Sequence, residues 1–267
     1  MTEPSMPLPS PPMTWDPTQY LAFADHRLRP AIDLLHRIPL ELPATVVDLG
    51  CGAGNVTQVL RRRWPAARLI GVDSSMAMLE RARGTDPGVE WQLADLHTWA
   101  PSSPVELLYS NAALHWLDDH DALFPALVAM LAPGGVLAVQ MPRNFSEPSH
   151  TSLYETVRDG PWRAQLEPMI RVEPTKPAAH YHALLAPHVR ELDVWETTYL
   201  QSLSGDNPVA EFVRGSALGP FLAALAGDER TAFESAYRTR VTAAYPARAD
   251  GTTLFPFRRI FIVARRA

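Results

Sequence analysis

The apolar and polar positions of this chain fall into short runs of changing period. Val46-Val47-Asp48-Leu49 is an apolar run carrying two β-branched valines and an acid, and it breaks at the alternating Gly50, Gly52 and Gly54. Asn55 to Arg63 follows with helical character, so the stretch predicts strand, tight turn and helix. Arg68 to Asp73 reads as a second strand, Ser75 to Arg83 as a helix, and Val89 to Leu93 as a third strand. Val105 to Asn111 is a fourth strand, Asp119 to Leu131 a helix, and Val136 to Met141 a fifth strand. This alternation specifies an α/β protein with a doubly wound, Rossmann-like parallel sheet. Upstream, Tyr20, Phe23, Leu28, Ile32 and Leu35 stand at helical spacing between Trp15 and Ile38, predicting an amphipathic helix pair that covers the sheet or forms a lid.

The texture changes after Pro142. Residues 143–187 hold six prolines and short helical stretches around Thr151–Arg158, Trp162–Ile170 and His180–Leu185. Val189 to Leu200 alternates as a strand, with Leu192 and Val194 on one face and Trp195 on the other. Helical segments fill Asn207 to Tyr245, and Phe257 to Ala264 is the last strand. The expected architecture is therefore a seven-stranded, mostly parallel sheet with a helical cap built from insertions. Its predicted division is a disordered tail at 1–13, a lid and nucleotide-binding core at 14–142, and a cap segment at 143–187. A core strand at 188–203, a helical cap insertion at 204–255 and a last core strand at 256–267 complete it.

Composition narrows the class. The 46% hydrophobic and 20% charged fractions are those of a soluble globular protein, and a net charge of −5 gives no general attraction to nucleic acid or anionic membrane. The uncharged run Ala122 to Met141 has the length of a membrane span, but Pro125 and Pro133-Gly134-Gly135 divide it into helix and strand. Residues 1–13 hold five prolines and no Lys or Arg, unlike a signal or transit peptide. A single cysteine, Cys51, fits a reducing, cytoplasmic setting.

The glycine turn is where chemistry is expected. Glycine adopts positive φ cheaply and lets a ligand approach the backbone, and such turns lie at the carboxyl edge where α/β proteins bind nucleotides. A dinucleotide fold wants G-x-G-x-x-G, whereas the spacing here is Gly50-x-Gly52-x-Gly54, preceded by Asp48, with no basic residue to meet a pyrophosphate. That disfavours a nicotinamide-dependent oxidoreductase. Asp73 is placed to accept both hydroxyls of an adenosine ribose. Asp95 can accept from an adenine amino group, or is simply a solvated loop residue or helix cap. With Asn111 ending a further strand, the set suits adenosine carrying an amino acid, which is S-adenosylmethionine.

These residues resemble the class I S-adenosylmethionine-dependent methyltransferases, through Val46–Gly54, Asp73, Asp95-Leu96 and Pro133-Gly134-Gly135. A narrower likeness is to the trans-aconitate 2-methyltransferase family. It is carried by Trp15-Asp16-Pro17, Arg27-Leu28-Arg29-Pro30, Ser110 to Trp116, Val139 to Pro142, Trp195 to Tyr199 and Phe255 to Ala264. In that family the turn usually reads Gly-Cys-Gly-Pro-Gly, and here Ala53 stands in place of the proline. The resemblance implies methyl transfer to a carboxylate of trans-aconitate or a close small polycarboxylate. It implies that Gly50, Gly52 and Gly54 face the methionine part and Asp73, with Ser74 beside it, the ribose. Asp95 and Leu96 would frame the adenine, the Asn111 carbonyl would take the amino group, and Arg29 the carboxylate. Another small carboxylate or hydroxyl acceptor, or a non-catalytic cofactor-binding protein, stays open.

A carboxylate is ionised at neutral pH and needs no general base, so no catalytic residue is required, and His115 is the one candidate should a base be used. What the site needs is cations for the remaining carboxylates, best supplied by arginine. Candidates are Arg27, Arg143 and Arg258 or Arg259, of which adjacent positions on one strand admit at most one. Tyr20, His115, Trp116, Tyr181 and Tyr199 are their expected neighbours. His180, His182 and His188 lack the accompanying ligands of a metal site, so no metal is expected.

Overall fold

The computed structural model describes residues 28–267. The proline-rich tail and the part of the lid carrying Tyr20 and Arg27 lie outside the described residues.

Five parallel strands run in the order β3-β2-β1-β4-β5: β1 (Thr45–Leu49), β2 (Arg68–Asp73), β3 (Glu90–Leu93), β4 (Val105–Asn111) and β5 (Leu131–Pro142). Two more strands, β6 (Val189–Leu203) and β7 (Thr253–Arg266), complete the sheet, with β7 antiparallel between β5 and the edge strand β6. The sheet is thus seven-stranded and mostly parallel, and its strand order reverses between β1 and β4, where the carboxyl ends of the strands open a crevice.

Strand parity sorts the core. Val47, Leu49, Val72, Leu108, Val139 and Ile262 face one helical layer, where α4 (His120–Ala129) contributes Phe124 and Leu127, and α7 (Ala178–Leu185) contributes Tyr181 and Leu185. Val46, Leu69, Leu107, Tyr109 and Phe261 face the other layer, formed by α1 (Arg29–His36) and α2 (Asn55–Arg63). Leu192 and Val194 lie against the first layer and Trp195 against the second, as the alternation of β6 predicts. Tyr109 is fully buried and its hydroxyl donates to the Ala31 carbonyl at 2.8 Å, which ties α1 to the sheet and satisfies the one polar group its ring brings inside.

A third core lies in the cap. α5 (Pro148–Asp159), α6 (Arg163–Leu166), α8 (Pro208–Val213), α9 (Gly219–Ala224) and α10 (Gly227–Ala244) gather Leu153, Trp162, Val213, Phe221, Phe233 and Tyr237 around Phe255 and Phe257. Those last two residues belong to β7, which begins at Thr253 rather than Phe257. Beyond the Pro142–Arg259 pair β5 ends, and β6 and β7 run on as a two-stranded ribbon into the cap. The sequence division also placed 178–187 in the cap. Tyr181 and Leu185 instead pack beneath the sheet, because α7 offers the apolar side that covers β6 and α4. The fifth strand starts at Leu131, ahead of the expected Val136. Pairing begins at Val105–Leu131 and then shifts register, with Gly134 at φ +77° in the irregular part. A side chain at Gly135 would stand 3.0 Å from the Val105 carbonyl. No helix among the described residues is long and apolar enough to cross a membrane.

Candidate functional site

β1 delivers the glycine turn to the carboxyl edge. Gly50, Gly52 and Gly54 all have positive φ, at +74°, +56° and +83°. Their reasons differ. A Cβ at Gly50 would lie 2.1 Å from that of Ala113, and one at Gly54 2.9 Å from the Trp91 ring, whereas one at Gly52 would meet nothing within 4 Å. The turn is therefore packed at its ends and open at its middle, a cradle that a ligand can enter. Asp73, ending β2, holds the turn from the side. Its carboxylate accepts from the Gly52 N–H and the Ser75 N–H, both at 2.8 Å. It bridges β1's turn to α3 (Met76–Arg83), with lone pairs left over for ribose hydroxyls.

Asp48 lies beneath the turn rather than on it. It is buried, accepts from the Thr57 hydroxyl at 2.6 Å, and has its pKa raised to about 7, first by burial and further by Asp73, against the Thr57 hydrogen bond. Grouped with the glycines as part of the cofactor site by the D-x-G-x-G-x-G pattern, it lies in the structure as a support beneath the turn. Leu96 lies over Gly50, while Ser74 is exposed beside Asp73. Asp95 is exposed and accepts from the backbone N–H of His97 at 2.9 Å, and its carboxylate lies 3.0 Å from that residue's ring nitrogen. The local cap was one of the two readings of Asp95, and these contacts hold its carboxyl below the usual carboxylate range.

Asn111 ends β4 and opens a cleft of about 570 Å³ between the sheet edge and the cap. From the sheet side come Asn111, His115, Trp116, Asn144 and Arg259, and from the cap His150, Tyr154, Arg171, Phe212 and Phe221. The next residue, Ala112, is at φ +55°, a conformation costly for a side chain and typical of places where function fixes the backbone. Buried polar atoms without a protein partner collect here: Asn111 Oδ1, His115 Nδ1, Asn144 Oδ1 and Arg259 Nε. Such atoms cost free energy unless a ligand or solvent meets them, so the cleft is built for a polar guest. With the open cradle beside it, the residues present fit S-adenosylmethionine at the turn and an anionic acceptor in the cleft.

The charges are arranged accordingly. Arg259 is buried, donates from Nη1 to Gln140 Oε1 at 3.0 Å and lies 4.5 Å from the Phe257 ring centroid. Burial lowers its pKa to about 10, which leaves it cationic at neutral pH. Arg171 reaches the cleft from the loop before α7, paired with Asp118 at 2.5 Å and donating to the Trp116 carbonyl. His115 is buried, and its pKa falls to about 3 through burial first, then the fields of Arg259 and Arg171. Burial alone takes His150 to about 4. Two cations and two neutral imidazoles therefore share one pocket.

Several expected residues are elsewhere. Arg143 pairs with Glu196 at 3.2 Å and donates to the Lys176 carbonyl. Arg258 pairs with Glu147 at 3.1 Å, so the arginine that enters the cleft is its neighbour Arg259. Tyr181 is buried below the sheet, its hydroxyl 2.6 Å from His120 Nδ1, and does not line the cleft. Tyr199 is buried and donates to Asp33 at 2.6 Å, with Arg29 over its ring at 5.1 Å. Arg29, at the start of α1, has its contacts with the Tyr199 ring and with Asp33 at 4.0 Å, and its expected role toward the cofactor carboxylate is left as a proposal. His180 bonds Asp121. Arg171, His150, Asn144 and Tyr154 were not foreseen. They sit in proline-broken loops and short helices where no period marks a facing side, although the cluster of His, Asn and aromatic residues at Asn144–Tyr154 is a compositional hint.

A family model described as a methyltransferase domain matches residues 46–135. The chain is 54% identical over 253 residues to a trans-aconitate 2-methyltransferase of Azoarcus sp. (strain BH72), covering 95% of this chain and 99% of the relative. It is 45% identical to one from Yersinia pestis (strain Pestoides F), covering 94% and 97%. Among solved structures, the YcgJ protein from Bacillus subtilis superposes with a TM-score of 0.56 at 14% identity, covering 89% and 98%. A phosphoethanolamine N-methyltransferase of Haemonchus contortus, solved with S-adenosylhomocysteine, gives 0.52 at 15% identity, covering 89% of this chain and 52% of that one.

Proposed function

The chain belongs to the trans-aconitate 2-methyltransferase family, and we propose that it esterifies one carboxylate of trans-aconitate, or of a close small polycarboxylate. It is an S-adenosylmethionine-dependent methyltransferase. The observation that carries the substrate reading is the pair of arginines, Arg259 and Arg171, lining one cleft beside Asn111. In a chain of net charge −5, two guanidiniums in one pocket are a local exception that suits a ligand with several carboxylates.

The cofactor supplies an electrophilic methyl group on a sulfonium. Gly50, Gly52 and Gly54 hold its amino-acid part, Asp73 its ribose, Leu96 one face of its adenine, and Asn111 its amino group. Arg259 and Arg171 bind the carboxylates that do not react and fix the acceptor against the methyl group. An ordered near-attack geometry of this kind removes about 7–11 kcal/mol from the barrier. The reacting carboxylate is already an anion, and both histidines in the cleft are poor bases, so no proton needs to move.

Incubation with methyl-labelled S-adenosylmethionine and a panel of small acids tests this reading. Labelled ester is expected with trans-aconitate and weaker transfer to monocarboxylates. Transfer to a hydroxyl acceptor alone, or binding of the cofactor with no transfer to any acid, would replace it.

A further inference from the structure

His115 occupies a particular place in the cleft. It lies four residues beyond Asn111, on the 3-10 turn Leu114–Trp116 that carries β4 past the sheet edge. Its ring is 4.8 Å from that of Trp116 and 6.4 Å from that of Phe145, centroid to centroid. The residue is 7% exposed, and Nδ1 has no hydrogen-bond partner among the described residues. The titratable and charged groups that act on it come from every side: Arg259 of β7, Arg171 of the cap loop, His120 of α4 and His150 of α5. All of these disfavour an imidazolium. A buried nitrogen left unmatched in a cleft of this kind points to a ligand.

A neutral imidazole and a guanidinium treat a carboxylate differently. A bidentate pair with arginine neutralises the anion and engages both oxygens. One N–H from a neutral ring holds a single oxygen and leaves the other anionic and free. We propose that His115 donates through Nδ1–H to the one carboxylate that is methylated, while Arg259 and Arg171 take the others, so that His115 decides which carboxylate reacts. This rests on the polycarboxylate reading given above. In the step, a lone pair of the free carboxylate oxygen forms the O–CH3 bond as the S–CH3 pair stays on sulfur. The carboxylate and sulfonium charges cancel, and no proton is transferred. The histidine acts by orientation, and its lack of charge keeps the attacking oxygen nucleophilic.

The test compares His115→Phe, His115→Asn and His115→Gln with the unaltered protein on trans-aconitate, reading kcat, KM, cofactor affinity by calorimetry, and the position of the ester by NMR. Loss of the N–H in His115→Phe is expected to misplace the reacting carboxylate, lowering kcat by about 100-fold and giving mixed ester positions, with S-adenosylhomocysteine affinity unchanged. The Asn amide nitrogen falls close to the place of Nδ1, so His115→Asn is expected to recover most of kcat and the single ester, and His115→Gln is not. A His115→Phe enzyme with undiminished kcat and the same single ester overturns the proposal while leaving the substrate reading intact. So does an unaltered enzyme whose rate climbs tenfold per pH unit up to neutrality, the mark of a general base. Failure of the unaltered protein to methylate trans-aconitate overturns both.

Discussion

Arg259 reaches across β7 to Gln140 on β5, Nη1 to Oε1 at 3.0 Å, while Arg258 beside it turns to Glu147 on the opposite face. Gln140 is itself paired in register with Asn111 of β4. Arg259, Gln140 and Asn111 thus stand on successive neighbouring strands, with Gln140 Nε2 and Asn111 Oδ1 both left without a partner among the described residues. Arg259 also stands where β5 ends and the β6–β7 ribbon continues into the cap, so one residue meets sheet, cap and cleft.

Truncating Arg259 is therefore expected to be more damaging than truncating either neighbouring arginine. Arg259→Met keeps much of the aliphatic stem but removes the charge, and should raise KM for trans-aconitate by the equivalent of about 2–5 kcal/mol. Arg143→Ala and Arg258→Ala break partly exposed ion pairs with Glu196 and Glu147, and should leave kcat/KM within a few-fold. Steady-state kinetics on the three variants checks this, and equal losses in all three would remove the special place of Arg259.

Replacing Asp73 by alanine should strip two backbone N–H groups, of Gly52 and Ser75, of their acceptor. The ribose would lose its anchor at the same time. S-adenosylhomocysteine binding is expected to weaken by on the order of 2–4 kcal/mol by calorimetry. Unchanged affinity would place the ribose elsewhere.

The sheet was legible because its signals are local. Asn55–Arg63, Arg68–Asp73 and Val105–Asn111 follow from period and glycine placement, and the cradle from three alternating glycines and an acid at a strand end. The cleft was less legible because it is assembled across distance. Alternation requires Arg258 and Arg259 to part, but Glu147 and Glu196 decide which one goes outward, and Glu147 is more than a hundred residues away in sequence. Arg171 sits in an aperiodic loop and is aimed by Asp118, a partner no spacing rule supplies. Arg29 carries the family motif yet is taken up by Tyr199, and Tyr181 looked like a cap residue until the sheet needed covering.

Asp48 offers a test of stability against function. Its carboxyl is buried with the Thr57 hydroxyl as donor, and its pKa of about 7 stands above the ordinary value near 3.9. In the unfolded chain it ionises at the lower pH, so the folded state is progressively penalised from about pH 4 to pH 7. Asp48→Asn keeps an acceptor for Thr57 without the charge. It should be more stable than the parent by on the order of 2–4 kcal/mol at pH 8, and indistinguishable from it near pH 3.5. Urea unfolding at both pH values checks this, and a variant less stable at pH 8 would show that the anion stabilises the fold.

The last expectation separates the pH dependence of folding from that of catalysis. His115 and His150 have folded pKa values of about 3 and about 4, against about 6.5 when unfolded. Between pH 4 and 6.5 the unfolded chain therefore binds two protons that the folded chain does not. Asp48 works the other way over the same range and binds one proton in the folded state. Among these three groups the difference is one proton in favour of the unfolded state, and His36 and His120, also lowered by burial, add to it in the same direction, so stability should rise with pH by at least about 1.4 kcal/mol per unit in the middle of this window. Acidification from pH 6.5 to 4.5 should then cost at least about 2 kcal/mol, a sizeable part of a typical domain's stability. His150→Phe should remove one of these protons and flatten the profile by up to about 1.4 kcal/mol per unit. Catalysis should show none of this above pH 6.5, because the imidazoles are already neutral, Arg259 stays cationic to about pH 10, and the attacking carboxylate is ionised throughout. The value of kcat should be nearly flat from pH 6.5 to 8.5. Stability that does not change between pH 4.5 and 6.5 would mean that the histidines titrate alike in both states. A kcat that rises steeply through pH 7, and does so equally in Asp48→Asn, which lacks the carboxyl that ionises beneath the turn in this range, would mean that the reaction depends on a base, and direct attack by a carboxylate would have to be given up.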